Sequence, residues 1–183
     1  MPVMPELEPL AAFHPLPPID YIAAAAIPAP YRPLLDHQQD MTSTLEAFHK
    51  GRVDLRVLQS HRNGRHYLRE VLLVIEDTRT PVEYGAIRIA LAAFNLEGQH
   101  LILEGRRPLG AILAKCGISY ISRPKTFIRV EADETMQRAL GLADGQVLFG
   151  RCNQLSDAEG RELADIVEIL PPLGKVDSHW GVA

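Results

Sequence analysis

Residues 67–75 read Tyr-Leu-Arg-Glu-Val-Leu-Leu-Val-Ile, apolar at odd and even positions alike except for one adjacent pair of charges, Arg69 and Glu70. Successive side chains of a strand point to opposite faces, so a run that is apolar on both parities fits a strand covered on both sides. This run is the best candidate for a central strand. It also raises the question of what accompanies its charges, since a buried charge without a partner is costly.

The flanking text builds a sheet around it. Val53, Leu55 and Val57 alternate with Asp54 and Arg56, the period of a half-exposed strand, and Asn63-Gly64 favours a tight hairpin. A turn at 77–81 lets residues 82–89 return as a further strand, giving a meander. Residues 146–155 and 163–170 form a second hairpin around Ser156-Asp157-Ala158-Glu159-Gly160, stopped by Pro171 and Pro172. A strand over 119–130 is interrupted by Pro124, which places it near an edge or a bend.

Helices are expected between these strands. Asp40 or Thr42 can cap one in which Leu45 and Phe48 share a face, with Met41 beside the cap. Residues 91–105 have helix-like spacing, and Pro108 suits the first turn of another helix ending at Gly117. Residues 135–140 make a short one before Gly141. Strands joined by short turns, with helices gathered in the middle, define an α+β class with a single, largely antiparallel sheet and helices packed on one side.

Most of the fourteen prolines fall in residues 1–33, which reads as an extended N-terminal arm. Residues 34–183 then form one domain. Net charge is −4 and Lys and Arg make no sustained block, so a nucleic-acid partner is not expected. The apolar stretch 21–30 is proline-interrupted and about half the ~20 residues of a membrane span. With no basic leader, a cytoplasmic monomer or homodimer is expected. Cys116 and Cys152 are far apart without Cys-x-x-Cys spacing, which suggests reduced core thiols and no metal knuckle.

Two charges interrupt apolar strands: Arg69, and Glu168 within Ile166-Val167-Glu168-Ile169-Leu170. Each needs an ion partner or a charged ligand. A structural pair of Arg69 with Glu70 or Glu168, or exposure at a strand end, would satisfy the same pattern.

Four segments in order resemble the chorismate pyruvate-lyase family over residues 34–172. They are Asp40-Met41-Thr42-x-x-Leu45-Glu46, Tyr67-Leu68-Arg69-Glu70-Val71-Leu72-Leu73, Arg107-Pro108-Leu109-Gly110-x-x-Leu113 and Val167-Glu168-Ile169-Leu170-Pro171. The resemblance implies an internal ligand pocket, no cofactor or metal, and the release of pyruvate from chorismate to give 4-hydroxybenzoate or a related hydroxybenzoate. By carry-over, Arg69 would bind a substrate carboxylate, Glu168 would be the acid/base, Leu109 and Gly110 would present backbone amides, and Met41 would line the pocket.

The chemistry agrees with those roles. A guanidinium binds a carboxylate through two parallel hydrogen bonds, and a glutamate among apolar neighbours should have a raised pKa. The chain departs from the family's arginine- and proline-bearing strand where it reads Glu83-Tyr84-Gly85-Ala86-Ile87-Arg88, and Arg88 is the candidate replacement cation.

The same superfamily includes the UTRA-like effector-sensing domains of bacterial transcription regulators, similar in strand order and closing hairpin. Those normally follow a DNA-binding domain, for which the proline-rich arm is too short. The lyase is therefore the expectation, and a non-catalytic small-acid-binding domain is the alternative.

Overall fold

The structure is a computed structural model that describes residues 3–174; the last part of the 34–183 segment lies outside them. Seven strands form one antiparallel sheet: β1 (Ile19–Ile22), β2 (Val53–Asn63), β3 (His66–Ile75), β4 (Pro81–Ala90), β5 (Ile121–Glu131), β6 (Val147–Ser156) and β7 (Glu162–Leu170). Their spatial order is β1-β5-β6-β7-β4-β3-β2. The β2-β3-β4 meander and the β5-β6-β7 meander meet where β4 pairs with β7, so β3, β4, β7 and β6 occupy the centre.

Among the described residues six α-helices accompany the sheet: α1 (Glu8–Ala11), α2 (Arg32–Leu35), α3 (Met41–His49), α4 (Leu96–Glu104), α5 (Leu109–Lys115) and α6 (Glu134–Leu140). The expected α+β class is what is found, with α3, α4 and α5 together on one side of the sheet. Asp40 caps α3 by accepting from the Ser43 amide at 2.8 Å, and Asn95 caps α4 through the Gly98 amide at 2.8 Å. That second cap explains why α4 begins at Leu96 and not at Leu91: residues Leu91–Ala93 make a separate 3-10 turn before it.

On the α3–α5 side the core divides into two clusters. One gathers Ile87, Ile102, Ile112, Leu113 and Leu155 under α4 and α5. The other gathers Leu34, Leu35, Leu45, Leu55, Val71 and Leu73 under α2 and α3. The opposite face is closed by Leu7 and Leu10 of the N-terminal arm and by Met136 and Leu140 of α6, packed on Leu72, Tyr84, Val167 and Ile169.

Residues Arg69 and Glu70, adjacent in sequence, point to these two different faces and do not pair with each other. On the arm's side, Glu70 accepts from the Tyr84 hydroxyl and from Gln59 Nε2 at 2.7 Å, and His14 of the arm lies 2.9 Å away.

Pro124 sits at a register shift in β5, in the stretch that β1 leaves uncovered. A residue without an N–H is tolerated there because no ladder bond is required of it. No helix among the described residues is long and apolar enough to cross a membrane.

Candidate functional site

Between the two core clusters lies a cavity of about 50 Å³. A single water needs roughly 10–15 Å³ by the same kind of measure, so the space holds more than one. Most of its wall is apolar: Met41, Leu55, Val71, Leu73, Ile87, Leu109, Leu155 and Ile166. Its polar wall consists of Asp40, Thr42, Arg69, Glu83, Asn153 and Glu168 with the α5 start at Gly110.

Arg69 is only 1% exposed. Its Nη2 donates to the Arg107 carbonyl at 3.3 Å, while Nε and Nη1 have no hydrogen-bond partner among the described residues. Burial pulls its pKa down to about 10, which still leaves it cationic at neutral pH. Neither Glu70 nor Glu168 neutralises it, so the structural ion pairs allowed by the sequence are not made.

Glu168 has a different partner. Arg151 of β6, fully buried, donates from Nε to Glu168 Oε2 at 2.5 Å. The rest of that guanidinium is consumed by backbone: Nη1 reaches the His37 and Leu35 carbonyls at 2.9 and 3.2 Å, and Nη2 the Gln39 carbonyl at 3.1 Å. Arg151 thereby ties the sheet to the segment that leads into α3. Burial raises the Glu168 pKa, the neighbouring Arg151 opposes that rise, and Asp40 adds to it.

Beside this pair lies Glu83 on β4, 4% exposed, with Oε2 unpartnered. Burial and then the Glu168 carboxylate push its pKa well above the usual carboxylate range, with Arg151 acting the other way. Two carboxyls thus share one guanidinium that is already engaged with Glu168. Burial and the neighbouring carboxylate both favour the neutral form of Glu83.

At the other wall Asp40 accepts from Ser43 and, at 3.1 Å, from the Tyr120 hydroxyl. A Cβ placed at Gly110 would lie 2.8 Å from Asp40 Oδ1, so the absence of a side chain there is what lets the starts of α3 and α5 converge.

Of the residues expected from the sequence, Met41, Arg69, Leu109, Gly110 and Glu168 are brought together around this cavity. Arg88 is not, which corrects its candidacy as a replacement cation. It shares a face with Tyr84 and Ala86 and binds Asp165 at 2.5 Å and Glu8 at 2.8 Å, away from the cavity. Strand parity separates it from Ile87 and Glu83. Arg151, Glu83 and Asn153 were missed. Among the described residues no group of three or more His, Cys, Asp or Glu side chains could hold a metal ion.

This arrangement, a cavity above the centre of an antiparallel sheet of β3, β4, β7 and β6, has the fold of the UTRA-like and chorismate lyase-like ligand domains. Among solved structures, the effector domain of PhnF from Mycobacterium smegmatis matches with a TM-score of 0.56 over 72% of this chain and 87% of that one, at 11% identity. PhnF itself from the same organism matches with a TM-score of 0.56 over 73% and 64%, at 10% identity. The ligand-binding domain of a protein assigned to the GntR family of transcriptional regulators, from Bordetella bronchiseptica, matches with a TM-score of 0.51 over 65% and 85%, at 15% identity. Identities this low establish the fold and nothing finer. No protein-family profile and no curated protein matches the chain.

These findings correct the expectation of a carbon–oxygen lyase. The solved structures named above are the effector domain of PhnF, PhnF itself and the ligand-binding domain of a protein assigned to a regulator family, and no protein-family profile or curated protein ties the chain to a chorismate lyase. The site offers a physical reason as well. The carboxyl expected to move protons is held by a fully buried guanidinium, an arrangement that fixes structure and charge.

Proposed function

We propose that this chain is an effector-binding domain that encloses a small organic acid, with the acid's carboxylate held by Arg69. The single observation that carries the reading is the Arg69 guanidinium, buried and cationic, with Nε and Nη1 left without partners among the described residues at the wall of a largely apolar cavity. A buried charge with unmet donors is expensive unless a ligand completes it, and a planar guanidinium matches a carboxylate through two parallel bonds. The backbone amides of Leu109 and Gly110 are the second set of donors in this reading. Met41 and Leu109 pack against the ligand's apolar body.

The ligand-binding unit in this reading is the 34–183 domain; from the 1–33 arm, Leu7 and Leu10 pack on the far face of its sheet and Ile27 joins the cluster under α2 and α3. Ligand binding would be felt through two contacts. Arg69 holds the carbonyl of Arg107 just before α5, and Arg151 holds the segment before α3.

Thermal unfolding with benzoate and with its neutral counterpart benzamide tests the reading. Saturating benzoate at about 100 times its Kd should stabilise the protein by ~2.7 kcal/mol, a rise of roughly 5–10 °C. Benzamide should give little. Equal shifts from both, or none from benzoate and other small acids, would overturn the proposal.

A further inference from the structure

The register of the central strands arranges the cavity in rows. Arg69, Ile87, Ile166 and Asn153 lie level across β3, β4, β7 and β6, and Val71, Gly85, Glu168 and Arg151 make the next row. Two residues along a strand separate the rows, about 6.6 Å. Glu83 belongs by position to a third row, opposite Leu73, but its side chain folds back over Gly85: a Cβ on Gly85 would lie 3.0 Å from Glu83 Oε1. The missing side chain at Gly85 therefore seats the Glu83 carboxyl in the Glu168 row, one row from Arg69.

The donors at that end are already spent. Arg151 serves Glu168 and the carbonyls of Leu35, His37 and Gln39. What lines the cavity there is the Glu83 side chain, whose Oε2 has no hydrogen-bond partner among the described residues, together with Glu168. A second anionic group placed there would meet two acids and, among the described residues, no free cation. A hydroxyl or amino group would instead give Glu83 the hydrogen bond it lacks.

Building on the proposed acid-binding role of Arg69, we infer that Glu83 is the specificity residue of this cavity. It selects an acid with a single carboxylate and, about one six-membered ring away, a hydrogen-bonding hydroxyl or amino group, and it excludes dicarboxylates. The raised pKa of Glu83 fits this role, because a neutral carboxyl can donate to or accept from a hydroxyl.

The test is calorimetric titration of the full chain with three matched probes: benzoate, 4-hydroxybenzoate and terephthalate. The wild type should bind 4-hydroxybenzoate ~10-fold or more tighter than benzoate, and terephthalate ~10-fold or more weaker than benzoate, the range expected of one buried hydrogen bond made or one carboxylate left uncompensated. In Glu83→Leu the 4-hydroxybenzoate to benzoate ratio should fall to within ~2-fold. In Glu83→Gln, which keeps the shape and adds an amide donor, terephthalate should gain at least ~3-fold relative to benzoate.

Wild-type terephthalate binding as tight as that of 4-hydroxybenzoate, or a hydroxyl preference that survives Glu83→Leu, would overturn the assignment while leaving the acid-binding role intact. If Glu83→Leu does not fold, an unchanged terephthalate ratio in Glu83→Gln overturns it in the same way. Failure of all three acids to bind the wild type would overturn the role of Arg69 and this inference with it.

Discussion

Arg69→Met should raise the stability of the ligand-free protein and abolish its binding of small acids. The two effects have one cause. Among the described residues Arg69 is a nearly completely buried cation with two unpartnered donor nitrogens, and each unmet buried donor costs on the order of 1–3 kcal/mol. Methionine keeps an unbranched apolar stem against Leu55, Val71 and Ile87 and removes the charge. A gain of about 2 kcal/mol is expected, seen as a rise of ~4–8 °C in thermal unfolding. Benzoate affinity, measured by calorimetry, should fall by about 30-fold or more. A residue whose removal strengthens the fold and ends binding is held in place for its ligand. A loss of stability in this variant would instead make Arg69 a structural group.

Arg151→Met should behave in the opposite way, although it too removes a buried arginine. Here the guanidinium is fully partnered, and its loss leaves the Glu168 carboxylate buried without a cation and the carbonyls of Leu35, His37 and Gln39 without that donor. Breaking a buried pair from one side costs roughly 3–5 kcal/mol, which should lower the melting temperature by about 10 °C or more. Urea unfolding of the variant gives the cost directly. Adding Glu168→Leu should restore part of it, because the stranded charge is then gone, while the freed carbonyls keep the recovery incomplete.

The contrast between these two arginines shows what could be read from the sequence. Arg69 stands out because it interrupts a run that is apolar on both parities, and Glu168 stands out for the same reason. Hairpin signals place the strands carrying them. The junction between the two meanders is a long-range pairing of β4 with β7, for which no local pattern speaks.

Arg151 was hidden by a bulge. Counting back from Ser156 opposite Glu162 pairs Arg151 with Val167, on the wrong face, whereas the register shift after Leu155 moves it opposite Glu168. Glu83 lies in the segment that departs from the family pattern, where the resemblance points to a cation and not to a carboxyl. Parity alone would have set Arg88 with Tyr84 and Ala86, away from Ile87, and Glu83 with the cavity.

The proline-rich arm was read as extended because proline removes donors. Pro5 and Pro9 instead occupy the first turns of short helical pieces, where no donor is needed, and Leu7 and Leu10 anchor those pieces in the core. The expectation of catalysis came from family resemblance and not from the residues. Two charges in apolar strands call for partners, and Glu168 has Arg151 while Arg69 has no carboxylate partner among the described residues.

The most direct measurement is a crystal structure of the protein with benzoate. The account predicts the carboxylate within hydrogen-bonding distance of Arg69 Nε and Nη1, with the ring enclosed by Met41, Val71, Ile87 and Leu109 and Arg151 still bound to Glu168. Benzoate bound elsewhere, or Arg69 turned away to pair with a carboxylate of the chain, would contradict it.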